Sequence, residues 1–300
     1  MSLDENPGHK AHHGGGILLM VAGLSVAALT GALMKTLTTE MSPFLIAWFR
    51  FAGCFLVMLP FALARVGLKT FKPPRIGVQV IRGLLLAIGN ILFMLGVAKL
   101  NYADAISILY VYPFLMTLLA PAVLGERVGL IGWLGVFGGF FGVLVVIRPD
   151  FSGADAYALF VLCTGLMVAL QMLLNRKLGF LSDPSVIAIW GVLIAALILT
   201  PTLPFFWTPI SAGQLGVLAL TAILSAVSQT MIILALARAP ASELAPFTYS
   251  EIVAAVLIGL VMFGTLPDSL SWIGIGLIIL SGLAVAHAKG RMTLRRNPKI

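Results

Sequence analysis

The chain has 300 residues, of which 60% are hydrophobic and 10% charged, with a net charge of +8. A soluble domain carries about 25% charged residues, so this composition excludes an ordinary water-soluble fold and makes the bilayer the expected solvent. The positive charge does not point to nucleic acid. The basic residues sit in short loops and at the C-terminus beside apolar runs, where the positive-inside rule accounts for them.

Residues 1–15 are polar, contain His9, His12 and His13, and read as a solvated tail with no cleavable signal. Ten mainly apolar segments follow, each near the length of about 20 residues that a spanning helix needs. The first five are Gly16–Thr36, Phe44–Val66, Ile76–Ala98, Ala103–Leu124 and Gly129–Arg148. The second five are Asp155–Asn175, Pro184–Phe206, Gly213–Leu236, Ser242–Gly264 and Ser269–Ala288. Residues 289–300 form a basic tail. The expected fold class is an all-α membrane protein with ten transmembrane helices, divided into units 16–148 and 155–288.

With the N-terminus placed in the cytoplasm, fourteen of the 19 Lys and Arg residues fall on the cytoplasmic side. Lys35, Lys99 and Arg148 fall outside, and Arg50 and Arg82 lie within spans. That asymmetry predicts two cytoplasmic termini.

The halves also resemble each other. A shift of 139 residues pairs Gly77 with Gly216, Tyr110 with Tyr249, Gly125 with Gly264, Trp133 with Trp272 and Gly135 with Gly274. A shift of 141 pairs Pro43 with Pro184 and Pro60 with Pro201. Each half has an odd number of spans, so the second enters the membrane from the opposite side. Such inverted repeats are a plan for secondary transporters, with the solute site at the repeat interface.

The run Ala103–Pro113, followed by Leu124-Gly-Glu-Arg127 and Trp133-Leu-Gly135, resembles the EamA type of the drug/metabolite transporter superfamily. Arg238-Ala-Pro-Ala-Ser242, Leu244–Tyr249 and Phe263–Asp268 are similar to the second EamA repeat. The resemblance implies ten helices, both termini inside the cell, an inner-membrane location and a small metabolite as substrate. Its second half is most similar to transporters of riboflavin or S-adenosylmethionine; export of amino acids is the alternative. Glu126 ends the fourth span, but Thr265 holds the matching place in the second repeat. A paired-acid role there is therefore not expected.

Ionisable groups inside spans cost roughly 2.5–3.5 kcal/mol on insertion scales and mark candidate sites. Arg50, Arg82 and Glu251 are these groups. They serve either as solute or proton contacts or as structural partners that let each charge survive burial. Asn90 pairs with Gln229 under the 139 shift, and Gln171 lies in the sixth span, giving a candidate polar site or plain interhelical hydrogen bonds. Tyr110, Tyr112, Tyr249 and Trp190 lie within spans and offer either stacking surfaces for a flat ligand or ordinary packing. Pro113 and Pro246 are candidate hinges, because proline removes a backbone donor. The glycines of the fifth and tenth spans suit close helix packing or a homodimer contact.

Cys54 and Cys163 lie in apolar runs without metal or disulfide spacing, so no cofactor or metal is expected. No HExxH, GxSxG or phosphate-loop motif is present, and no catalytic residue is assigned. A channel and an intramembrane enzyme are the remote alternatives to a transporter.

Overall fold

The computed structural model describes residues 7–125, 128–147, 155–179, 181–238 and 244–296. Among them there is no strand. The helices are α1 (Pro7–Leu37), α2 (Pro43–Val66), α3 (Ile76–Val97), α4 (Tyr102–Leu109), α5 (Tyr112–Leu124) and α6 (Leu130–Ile147). They continue with α7 (Asp155–Gly179), α8 (Pro184–Leu199), the short α9 (Leu203–Phe206), α10 (Ala212–Arg238), α11 (Ser250–Phe263) and α12 (Ser269–Arg296). Three 3₁₀ turns intervene at Gly67–Phe71, Thr200–Thr202 and Ala245–Tyr249.

Seven helical stretches are long and apolar enough to cross a membrane, and three shorter apolar ones lie at Gly132–Ile147, Phe247–Phe263 and Ser269–Ala284. All ten fall where the hydrophobicity pattern places a span. Large apolar side chains such as Leu56, Phe61, Phe137, Phe141, Leu257 and Val261 are exposed. In water that surface would be costly; in a multi-pass membrane protein it faces lipid.

Local chemistry explains several boundaries. Ser42 caps α2 by accepting from the Phe44 amide, and Asp183 caps α8 by accepting from the Ser185 amide at 2.8 Å. In both helices a proline follows the cap, at the position where a missing N–H costs nothing. Gly125 and Gly264 end α5 and α11 with φ of 70° and 64°, a left-handed conformation that glycine adopts without Cβ strain.

Three expected spans are interrupted, the seventh only by the 3₁₀ turn Thr200–Thr202 between α8 and α9. The fourth breaks at Tyr110 and Val111 into α4 and α5, because Pro113 cannot donate to the carbonyl of Leu109. Shorter i→i+3 bonds, Val111 to Ile108 and Phe114 to Val111, carry the chain through the break. The ninth, expected as one helix over Ser242–Gly264, instead has a 3₁₀ turn at Ala245–Tyr249 before α11. Residues 242 and 243 of that segment lie outside the described residues, as do Glu126, Arg127 and Arg148. Pro60, by contrast, is carried inside α2, while Pro201 coincides with the 3₁₀ turn after α8.

α1 packs on α10 and α11, α3 on α7 and α8, α2 on α8 and α10, and α6 on α12. The glycines allow the α6–α12 approach within one chain: a Cβ on Gly142 would stand 3.0 Å from the Gly274 carbonyl oxygen. One buried cluster joins Tyr102, Tyr110 and Phe114 to Ile252 and Ile278, and a second joins Phe51 and Met58 to Ile189 and Val192. Between these clusters lies the site.

Candidate functional site

A cavity of about 200 Å³ lies among α1, α2, α3, α4, α7, α8, α10 and α11. Its wall is largely apolar, with Phe51, Phe93 and Tyr102 supplying aromatic surface. The polar groups on it are few: Arg50, Asn90, Thr164, Gln171, Ser225, Gln229 and Glu251, with the Tyr102 hydroxyl. An apolar pocket with a few placed polar groups is the usual form of a small-molecule site.

The helical period brings these groups together. Ser225 and Gln229 lie four residues apart on α10, and Thr164, Val168 and Gln171 span two turns of α7; each set therefore shares one helix face. Leu86, Asn90 and Phe93 do the same on α3. The Arg50 Nε donates to Ser225 Oγ at 3.1 Å, and its guanidinium stands 5.7 Å from the Phe51 ring centroid. The Asn90 side-chain oxygen is buried without a protein partner. An unpaired buried acceptor on a cavity wall is an open position for a ligand donor or a water. The single Thr164 hydroxyl proton lies between the carbonyls of Phe160 at 2.9 Å and Gly89 at 3.2 Å, bringing α7 against α3, and Ser228 donates to Gly23 O at 2.8 Å, pinning α10 to α1.

Tyr110, Tyr112 and Tyr249 stand behind Glu251. The Tyr110 ring lies 5.4 Å from that of Tyr112 and 5.5 Å from that of Tyr249. The Tyr110 hydroxyl meets Glu251 Oε2 at 2.8 Å and the Thr248 carbonyl oxygen at 2.5 Å. These tyrosines are not on the cavity wall; Tyr110 holds Glu251 from the far side, and Tyr112 and Tyr249 pack on Tyr110. Pro113 is in the first turn of α5, next to the break, and Pro246 lies within the 3₁₀ turn. Both candidate hinges thus flank this tyrosine cluster.

Two candidates sit elsewhere. Arg82 is 2% exposed and lies away from the cavity wall. It donates to Asn175 Oδ1 at 2.6 Å, to the Ile187 carbonyl at 2.8 Å and to the Gln79 side-chain oxygen, tying α3 to α7 and α8. Trp190 donates to the Thr70 carbonyl at 2.7 Å and packs on the turn after α2. Lys35 donates to the Leu100 carbonyl, with its Nζ 5.2 Å from the Phe263 ring centroid.

Sequence reasoning did not single out Ser225, Thr164, Tyr102 or Cys54. The four-residue spacing from Ser225 to Gln229 and the seven-residue spacing from Thr164 to Gln171 were available as signals. Tyr102 gave none, since it sits at a span end, the usual place of an interfacial tyrosine.

Comparison with known proteins places the whole chain in a family. The model of the EamA-like transporter family matches twice, over residues 14–148 and 156–286. The chain is 28% identical to the riboflavin transporter of Rhizobium johnstonii, with 84% of this chain and 83% of that protein covered. It is 23% identical to the S-adenosylmethionine uptake transporter of Rickettsia conorii, with 94% and 96% covered. It is 25% identical to a pseudopaline exporter of Pseudomonas aeruginosa, with 91% and 96% covered. A solved crystal structure shares the fold at a TM-score of 0.64 and 20% identity, covering 95% of this chain and 99% of its own. The chain belongs to the EamA-like transporter family and is a multi-pass membrane transporter of a small metabolite.

Proposed function

We propose that the chain is a secondary transporter of the inner membrane, built from two inverted five-helix repeats with both termini cytoplasmic. Its proposed substrate is a vitamin or nucleotide-like solute such as riboflavin or S-adenosylmethionine. The observation that carries the reading is the convergence of Asn90 and Gln229, from matching positions of the two halves, on one cavity with Arg50 and Glu251. Amide edges and charged groups set between Phe51, Phe93 and Tyr102 suit a heterocycle with polar substituents.

The packing pattern supports the repeat. Exchange α1 with α7, α2 with α8, α3 with α10, the α4–α5 pair with α11, and α6 with α12. The contact of α1 with α10 then becomes that of α7 with α3, and the contact of α2 with α10 becomes that of α8 with α3. The contacts α2–α8 and α6–α12 map onto themselves. The breaks match as well: α5 is preceded by Tyr110 and α11 by Tyr249, and these two rings touch. Contact between equivalent residues is expected on a twofold axis. Two similar units around a shared site can rock to expose it to either face.

Uptake of radiolabelled riboflavin and S-adenosylmethionine into proteoliposomes tests the substrate class. Saturable uptake of one, competed by its unlabelled form, is expected; transport of neither rejects the class. Cys54 supplies a second readout because it lines the cavity. In a Cys163→Ser background, the transported solute should slow labelling of Cys54 by a membrane-permeant maleimide. Unchanged labelling at saturating solute would separate the solute site from this cavity.

A further inference from the structure

We propose that Glu251 is a proton-binding site of the transport cycle, and that its carboxyl is protonated in this conformation. The Tyr110 hydroxyl has one proton and, besides the Tyr112 hydroxyl, which brings a proton of its own, lies within hydrogen-bond distance of two oxygens, the Thr248 carbonyl at 2.5 Å and Glu251 Oε2 at 2.8 Å. A carbonyl only accepts, and an ionised carboxylate only accepts. With Glu251 ionised, one proton must serve two acceptors, and one of the short oxygen–oxygen contacts has none. With Glu251 protonated the chain closes: the Glu251 O–H donates to Tyr110 Oη, and the Tyr110 O–H donates to the Thr248 carbonyl. Each short contact then holds one hydrogen.

The placement turns that proton into a mechanical link. Tyr110 lies at the break between α4 and α5, Thr248 in the 3₁₀ turn, and Glu251 in the first turn of α11. The protonated chain therefore ties the interruption of one half to that of the other. Loss of the proton leaves Tyr110 to choose between Thr248 and Glu251, which loosens this tie. Glu251 also lines the cavity, so its proton exchanges with whatever water the cavity admits.

The titratable and charged groups around Glu251 are Arg50 from α2, Tyr102 from α4, Tyr110 at the break, Tyr112 from α5 and Tyr249 from the preceding turn. Arg50 and Glu251 are the charged residues on the cavity wall among the described residues. Protonation leaves Arg50 uncompensated there, and deprotonation cancels its charge. A solute with an anionic group thus binds the protonated cavity more tightly, and by reciprocity raises proton affinity.

The proposal rests on the transporter reading of this cavity, and two experiments separate them. Infrared difference spectra of the purified full chain in lipid, stepped from high to low pH without solute, report the carbonyl stretch of carboxyls that gain a proton. Glu251→Gln should lose one such band, Glu251→Asp should keep a carboxyl band, and Tyr110→Phe should shift its frequency by removing the acceptor. Identical spectra for the wild type and Glu251→Gln would overturn the site, and an unshifted band in Tyr110→Phe would overturn the Tyr110 link. Should Glu251→Gln fail to fold, Glu251→Asp and Tyr110→Phe still decide. In proteoliposomes, a pH gradient should change riboflavin or S-adenosylmethionine uptake in the wild type and not in Glu251→Gln. Gradient-driven uptake that survives in Glu251→Gln overturns the proton site while leaving the transporter intact. Uptake of neither solute, with the infrared band present, rejects those substrates and leaves the proton site standing.

Discussion

Arg50 and Arg82 enter the sequence alike, each one cation inside an otherwise apolar span, yet they meet opposite surroundings. Arg82 is 2% exposed and encased by Asn175, Gln79 and the Ile187 carbonyl. Arg50 lines a cavity and donates to Ser225, with Glu251 on the same wall. A buried cation whose donors meet neutral acceptors on three elements is a structural tie. A cation beside empty space and an acid can interact with a solute. What differs is not the depth of the charge but whether its acceptors come from the protein.

Replacing each arginine should break that comparison most sharply. Arg82→Met withdraws the donors from three acceptors, the fully buried Gln79 amide oxygen among them, at a cost of about 1 kcal/mol or more each. We expect a stability loss of about 3 kcal/mol by thermal unfolding in detergent, the largest effect of this series. Arg50→Met should stay within about 1 kcal/mol of the wild type, since it leaves one exchangeable hydroxyl partner. Its uptake of solute should instead fall by tenfold or more, the equivalent of about 1.4 kcal/mol. Equal stability losses in the two variants would erase the distinction.

The Arg82 region can be probed a second way. A Cβ on Gly83 would collide with the Ile194 side chain and come within 3.1 Å of the Ala195 amide nitrogen, so α3 and α8 cannot keep their distance. Gly83→Val should cost about 1–3 kcal/mol by overpacking. Gly77→Val, at a position with nothing within 4 Å of the added Cβ, is the control and should be nearly neutral. On the cavity side, Asn90→Ala and Gln229→Ala should each weaken solute affinity by a few fold, about 1 kcal/mol, without lowering stability. Competition binding measures this; a strong loss of stability in Asn90→Ala would make it a packing residue instead.

The smallest effect is expected at the end of α2. The Arg65 Nε lies 3.1 Å from Asp183 Oδ2, with the two side chains 47% and 27% exposed. Partial burial pushes the Asp183 carboxyl up, but the Ser185 amide and hydroxyl and the Arg65 guanidinium outweigh it and hold the carboxyl below its ordinary range. A lowered carboxyl stabilises the fold above its unfolded-state value, about 3.9, and that contribution fades as pH falls through the folded-state value. Thermal melts should therefore show an Asp183→Asn difference at neutral pH that closes in acid. Its size should not exceed about 1 kcal/mol, as for other exposed pairs. A difference that grows in acid would reverse the sign.

Much of the architecture was legible because lipid imposes it. Apolar runs of spanning length, the cap-and-proline starts of α2 and α8, and the glycine ends of α5 and α11 follow from backbone satisfaction and Cβ sterics, both local. The interruptions at Tyr110 and Tyr249 were legible only in part. Pro113 and Pro246 marked them, but a proline inside a span is either carried, as Pro60 is in α2, or yields a break, as between α4 and α5. Arg50, Asn90, Gln171, Gln229 and Glu251 were legible as candidates because polar groups are expensive in hydrocarbon, and all five line the cavity. Tyr102 and Cys54 were not, because their side chains are ordinary at those positions.

The sequence by itself determined the solvent, the helical content, the positions of ten apolar segments and the kinship of the two halves, since each depends on composition and short spacings. Only the tertiary structure decided that Arg82 and Trp190 are ties while Arg50 and Glu251 share a wall, and that Tyr110 stands between Glu251 and Thr248. Those outcomes depend on which faces of helices far apart in the chain meet, and no local periodicity specifies such encounters.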